Sequence, residues 1–152
     1  MEGHIGRYVI AVILLVGATV AIHAAGSFGL LRLMAARRPR TTKFTYHRGI
    51  FALAFIVVLL LLVHLAETVV WALYYAAKGC FPDIVTSIVF SMETYSTVGY
   101  GDILLRGNWR LLSGVEALTG VLMISWSTAL LLRVVTWVNA RMLDRWGLTI
   151  PD

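Results

Sequence analysis

Three long apolar runs, joined by short charged segments, leave this chain little choice but a lipid bilayer. Between Tyr8 and Leu31 there is no charged residue, and His23 is the one ionisable side chain. Gly49 to Ala77 is interrupted only by His64 and Glu67, and Leu111 to Leu132 only by Glu116. Each run is long enough to cross the roughly 30 Å hydrocarbon core as a helix. The composition agrees, with 59% hydrophobic and 14% charged residues against roughly a half and a quarter in soluble domains. At 152 residues the chain is read as one domain.

The net charge of +5 does not point to nucleic acid, because the basic residues cluster beside the apolar runs. Arg32, Arg37, Arg38, Arg40, Lys43 and Arg48 crowd one loop without an acidic residue, and Pro39 breaks any helix there. By the positive-inside rule this loop is cytoplasmic, together with Arg133, Arg141 and Arg145. Arg7, Lys78, Arg106 and Arg110 fall on the other side. The N-terminus is then outside, the C-terminus cytoplasmic, and the location a plasma or inner membrane.

The first run resembles a signal peptide in having Arg7 before it and small residues around Ala24. It is longer than the usual apolar stretch of such a peptide, and the basic loop behind it resists translocation, so a retained helix is expected. Gly17, Ala21 and Ala25 recur every four residues, a pattern that lets helices approach closely in lipid. No arginine repeats at every third position, so this helix does not read as a voltage sensor. Cys80 is the single cysteine, a free thiol or at most a cross-link between subunits.

His64 and Glu67 lie one turn apart on one helical face. Two roles stand open for them. Glu67 lies about 28 Å along the helix from Arg48 and can reach water at the outer boundary, or the pair can serve gating or proton sensing. Trp71, Tyr74 and Tyr75 read as an interfacial aromatic belt. Pro82 and Asp83 form a good helix start, and 83–96 is long enough for a helix but too short to span, so it reads as re-entrant. Its C-terminal end directs a partial negative charge at the segment behind it.

That segment is Thr97-Val98-Gly99-Tyr100-Gly101, then Asp102. Carbonyls of successive residues can face one axis only if the backbone alternates between ordinary and positive-φ conformations, which glycine adopts without steric cost. Gly99 and Gly101 stand at alternate positions, Thr97 adds a hydroxyl, and Val98 and Tyr100 turn their side chains away as packing. A Gly-rich turn of the same spelling is the plain alternative, but here the motif sits between a short helix and a span.

From these residues the chain resembles the pore domain of the potassium-channel superfamily, over roughly 55–137, and the pentapeptide is that family's known filter signature. The resemblance implies an all-α membrane protein of three transmembrane helices plus a re-entrant pore helix and a selectivity-filter loop. Its parts are an N-terminal helix (1–34), a basic loop (35–48), a pore domain (49–140) and a tail (141–152). Within the pore domain are the outer helix 49–77, pore helix 83–96, filter 97–101 and inner helix 111–138. It further implies K+ coordination by the carbonyls of Thr97, Val98, Gly99 and Tyr100, filter support from Gly101, Asp102 and Glu93, and a homotetramer. The activity implied is passive K+ conduction, with K+ as permeant ion, no cofactor, and lipids and three identical subunits as partners. The other reading is a non-conducting, regulatory pore-like subunit that modifies a partner channel.

Glu93 and Asp102 are expected to share a proton, held by Glu93, unless Glu93 reaches ordered water and is ionised. Gly120 matches the family's inner-helix hinge, and close packing against the pore helix explains it equally. Thr119, Ser125 and Thr128 either face the cavity or bond back to their own helix. Glu116 is placed behind the filter, with Arg110 of a neighbouring subunit as a conceivable partner. The family's pore-helix Trp pair is replaced by Val89-Phe90, with Tyr95 nearer the filter, and Ser96 stands where Thr is frequent. An enzyme is the least expected class: His4, His23, His47 and His64 fall on different segments, and no helical spacing brings a nucleophile, base and acid together.

Overall fold

A computed structural model describes residues 2–36 and 46–145. Helices α1 (Glu2–Ala36), α2 (Tyr46–Ala77), α3 (Ile84–Tyr95) and α4 (Arg110–Arg145) succeed one another, with a single 3-10 turn at Gly107–Trp109 before α4. There is no strand among the described residues. Three helices are long and apolar enough to cross a membrane, at Gly6–Ala35, Gly49–Ala77 and Arg110–Leu143. The protein is an all-α, multi-pass membrane protein.

The helices outrun the apolar segments that announced them. Residues 35–36 and 46–48, expected in the basic loop, are helical, and α4 continues through Arg145 into the expected tail. The last turns of α4 persist because Val134 and Val138 remain on the face that packs into the core. The rest of the loop and tail lies outside the described residues.

Two apolar clusters hold the helices together. One joins Leu15 of α1, Trp71 and Tyr75 of α2, Phe90 and Tyr95 of α3, and Leu112 and Met123 of α4. The other joins Leu30, Ile56, Leu60, Leu130, Val134 and Val138, and α3 does not reach it. A half-length α3 therefore packs at one end of a three-helix layer. Outward faces are apolar too, with Leu14, Phe28, Phe51 and Leu62 more than half exposed, as a lipid-facing surface requires.

Helix α1 buries Ala11, Leu15, Thr19, His23, Ser27 and Leu30, a stripe at near four-residue spacing. The Gly17, Ala21 and Ala25 face is turned away from the rest of the chain. The close approach is made instead at Gly26, where any Cβ would run into the Val63 side chain of α2.

At the far end of α2, Gly79 adopts φ +63, and the Cys80 and Gly79 N–H groups donate to the Tyr75 and Ala76 carbonyls. That is a Schellman cap, and it turns the chain into the start of α3. Cys80 is half-buried there, and burial pushes its thiol above the ordinary value.

Asp83 is the N-cap of α3 and accepts from the Thr86 N–H and hydroxyl, both at 2.8 Å. These bonds favour the carboxylate and hold Asp83 below its usual 3.8. A lowered value contributes stability above the unfolded value and loses it as pH falls through the folded one. Asp83→Ala is expected to lower the thermal midpoint at pH 7, with the gap to the parent narrowing below about pH 4 as the parent carboxyl is itself protonated. Thermal unfolding in detergent across that range checks it.

Candidate functional site

Helix α3 ends at Tyr95 with Ser96 as its C-cap. The chain then passes through positive φ at Thr97 (62), Gly99 (48) and Gly101 (83). These are alternate positions, the pattern a one-sided carbonyl ladder requires. Thr97 extends the expectation drawn from the two glycines, for a β-branched residue in this region is strained at a cost of about 1–3 kcal/mol. The geometry is held from behind. Thr97 N–H donates to the Thr94 carbonyl at 3.0 Å, and Gly99 N–H to the Glu93 carbonyl at 3.2 Å. Val98 and Tyr100 are 54% and 78% exposed, so their own chain leaves much of each uncovered.

Beside this segment an open cavity of about 760 Å³ is lined by Glu93, Asp102, Arg106 and Arg110 among others. Among the described residues no hydrogen bond joins Glu93 to Asp102, though both face this space.

Gly120 of α4 lies directly against the carbonyl and Cα of Tyr95, and a Cβ there would overlap that backbone. Close packing therefore accounts for the glycine, and α4 runs through it as one unbroken helix. Thr119, Ser125 and Thr128 each donate to the carbonyl four residues earlier, at 2.7 to 2.8 Å. Their hydroxyls are spent on α4 itself.

Two buried polar groups tie the helices behind α3. Glu116 is fully buried and accepts from the Tyr75 hydroxyl at 2.6 Å and from Ser91. Its partners within the chain come from α2 and α3. The second group lies between the two apolar clusters. Glu67, fully buried, has Oε1 2.9 Å from His23 Nδ1 and Oε2 3.0 Å from His64 Nδ1, and Tyr95 donates its hydroxyl to Oε2. Ser127 Oγ stands 3.0 Å from His64 Nε2 and 3.4 Å from His23 Nε2. All three long helices and the end of α3 meet in this layer.

The family model described as "Ion channel" matches residues 50–136, more than half of the chain. The chain belongs to this ion channel family. No match was found among curated proteins or solved structures. The matched region takes in α2, α3, the segment after it and most of α4, while α1 of the channel lies outside it.

Several expectations are corrected in the channel. Glu67 does not reach water, for it is 0% exposed and enclosed by two imidazoles and a phenol. Trp71 and Tyr75 are not belt residues: both are fully buried, Trp71 donating to Thr19 at 3.0 Å and Tyr75 to Glu116. Only the half-buried Tyr74 of that trio keeps an outward position. The histidines are not all scattered, since His23 and His64 converge, with ring centroids 5.3 Å apart. His23, His64 and Glu67 bring their ligand atoms within 4.8 Å of one another, a set able to hold a metal ion.

Phe90, at the place of the missing Trp pair, packs into Phe81 and Tyr75 at 4.8 and 5.4 Å between ring centroids. Tyr95 carries a hydrogen bond from the end of α3 back to α2.

Proposed function

We propose that this ion channel is potassium-selective and that four copies of the chain surround one pore. The observation that carries the reading is the filter segment, whose positive φ values at Thr97, Gly99 and Gly101 suit carbonyls directed at one axis. Carbonyls of Thr97, Val98, Gly99 and Tyr100 replace the hydration shell of K+, weakly enough that the ion also leaves. One chain offers one such strand, and the exposure of Val98 and Tyr100 supports neighbours packing on both sides of it. Gly101 and Asp102 shape the outer end, while Glu93 lends its backbone carbonyl to Gly99.

The chain runs from the C-terminal end of α3 directly into the filter segment, and the partial negative charge of that end favours a cation there. The cluster of arginines and lysine in the loop before α2 puts that side in the cytoplasm, with the N-terminus outside.

Flux into liposomes tests this. The purified chain is expected to take up K+ and to exclude Na+, and Gly99→Ala, forcing a side chain into φ +48, is expected to cut K+ uptake at least tenfold. Equal K+ and Na+ uptake would refute selectivity. A tetramer without any flux would support the reading as a regulatory subunit.

A further inference from the structure

The layer formed by His23, His64, Glu67, Tyr95 and Ser127 has pairings that its own hydrogens do not fill. Each Nδ1 faces Glu67, each Nε2 faces Ser127 Oγ, and the Tyr95 hydroxyl donates to Glu67. With the 3.5 Å approach of the Tyr95 hydroxyl to His64 Nδ1 there are six pairings, each needing a hydrogen. Two neutral imidazoles, one phenol and one serine hydroxyl bring four. With Glu67 ionised the layer also carries a net negative charge, and a buried charge without compensation is costly. The uncompensated charge lies on the side where each Nδ1 and the carboxylate converge, where a cation would be attracted.

We infer that His23, His64 and Glu67 form a binding site for a divalent transition-metal ion of the zinc class. Two imidazoles and a carboxylate are a donor set of that class. Tetrahedral ligands at about 2.0 Å from an ion stand about 3.3 Å apart, and one ligand atom from each of the three residues already lies within 4.8 Å of the others. The surroundings fit as well. When both Nδ1 lone pairs face an ion, both rings carry their proton on Nε2, and Ser127 Oγ has two lone pairs to receive the two N–H groups. Such an outer partner fixes ring orientation and tautomer in metal sites.

An extra proton is the competing occupant. It would make one ring an imidazolium and leave the other neutral, whereas the two rings present the same nitrogen to the same carboxylate and the same nitrogen to the same hydroxyl. A divalent ion preserves that equivalence.

The consequence is mechanical. The ion joins α1 to α2 at Glu67, which accepts from Tyr95 two residues before Thr97, so its occupancy affects how firmly the base of the filter segment is held.

The test uses the full chain, produced in zinc-supplemented medium, dialysed, and analysed for metal by mass spectrometry. About one zinc per chain is expected. Replacement by Co2+ is expected to give the intense visible absorption of a tetrahedral nitrogen and oxygen site. His23→Ala and His64→Ala are expected to lower metal content at least tenfold, while Cys80→Ser and a His4→Ala/His47→Ala double variant keep it.

The Co2+ spectrum is read on the unaltered chain, so it decides even if a histidine variant fails to fold. Metal below a tenth of an equivalent in the supplemented parent, a weak octahedral Co2+ spectrum, or zinc retained in a folded His23→Ala chain would each overturn the site. A parent without metal whose layer takes up a proton instead would overturn it too, in favour of the protonated cluster.

Discussion

Gly120→Ala is expected to cut conduction more than tenfold, although it adds a single methyl group to a residue outside the Thr97–Gly101 segment. The Cβ would fall on the backbone carbonyl of Tyr95, which cannot rotate aside as a side chain can. Tyr95 is fixed in turn by its bond to Glu67, and Ser96 and Thr97 come directly after it. Either α4 retreats or the end of α3 is pushed out of line. Overpacking of this kind costs about 1–3 kcal/mol where neighbours can shift, and the upper end or beyond is expected against backbone. The cost lands on the Thr97–Gly101 segment, so if that segment conducts as proposed, K+ flux is expected to fall more than tenfold even where folded protein is recovered. A hinge role would give a different result: Ala favours helix over Gly by about 1 kcal/mol, so the variant would fold better and show altered opening. Flux and thermal midpoint measured on one preparation separate the two.

The other large effect is expected at Glu116. Its carboxylate is the shared acceptor for Tyr75 of α2 and Ser91 of α3, fully out of solvent. Glu116→Ala removes that acceptor from two buried hydroxyls and leaves a cavity. Ser91 has another acceptor in the Thr68 carbonyl at 2.9 Å, whereas the Tyr75 hydroxyl has no second one among the described residues. An unsatisfied buried donor costs about 1–3 kcal/mol and large-to-small cavities about 2–5, so a loss of about 4 kcal/mol in the thermal or denaturant stability of the detergent-solubilised chain is expected. Glu116→Gln keeps an acceptor for Tyr75 and nearly the same volume, and about 1 kcal/mol is expected there. Equal losses in the two variants would show that charge, and not the hydrogen-bond geometry, holds the helices.

The spans and the α3 start were legible because their signals are local. Run length marks a membrane helix, and Pro82-Asp83 marks a helix beginning whose cap is found where expected. The positive-φ backbone after α3 was legible from Gly99 and Gly101, though Thr97 joining them was not, since nothing local demands it of a threonine.

The buried layer was legible only in part. His64 and Glu67 drew notice as ionisable residues at membrane depth, but His23 lies 44 residues from Glu67, and no spacing rule links residues on different helices. The usable signal was Thr19, His23 and Ser27 at successive four-residue steps, a polar stripe that an outward lipid face would not carry. Trp71 and Tyr75 misled for the opposite reason. Aromatics near a helix end suit a membrane interface, yet here α1 and α4 cover them, and their polar tips find Thr19 and Glu116.

The pairing of His23 with Glu67 also bears on how the chain enters its membrane. Alone in lipid, a charged side chain at the middle of a helix costs about 2.5–3.5 kcal/mol. Helix α2 by itself would present Glu67, and α1 by itself would present His23. Because α1 and α2 are neighbours in the chain, they can be released from the insertion machinery as a hairpin with these groups already facing each other. Insertion of α2 is thereby expected to be easier with α1 beside it than alone, the leading helix acting as an intramolecular escort for its successor.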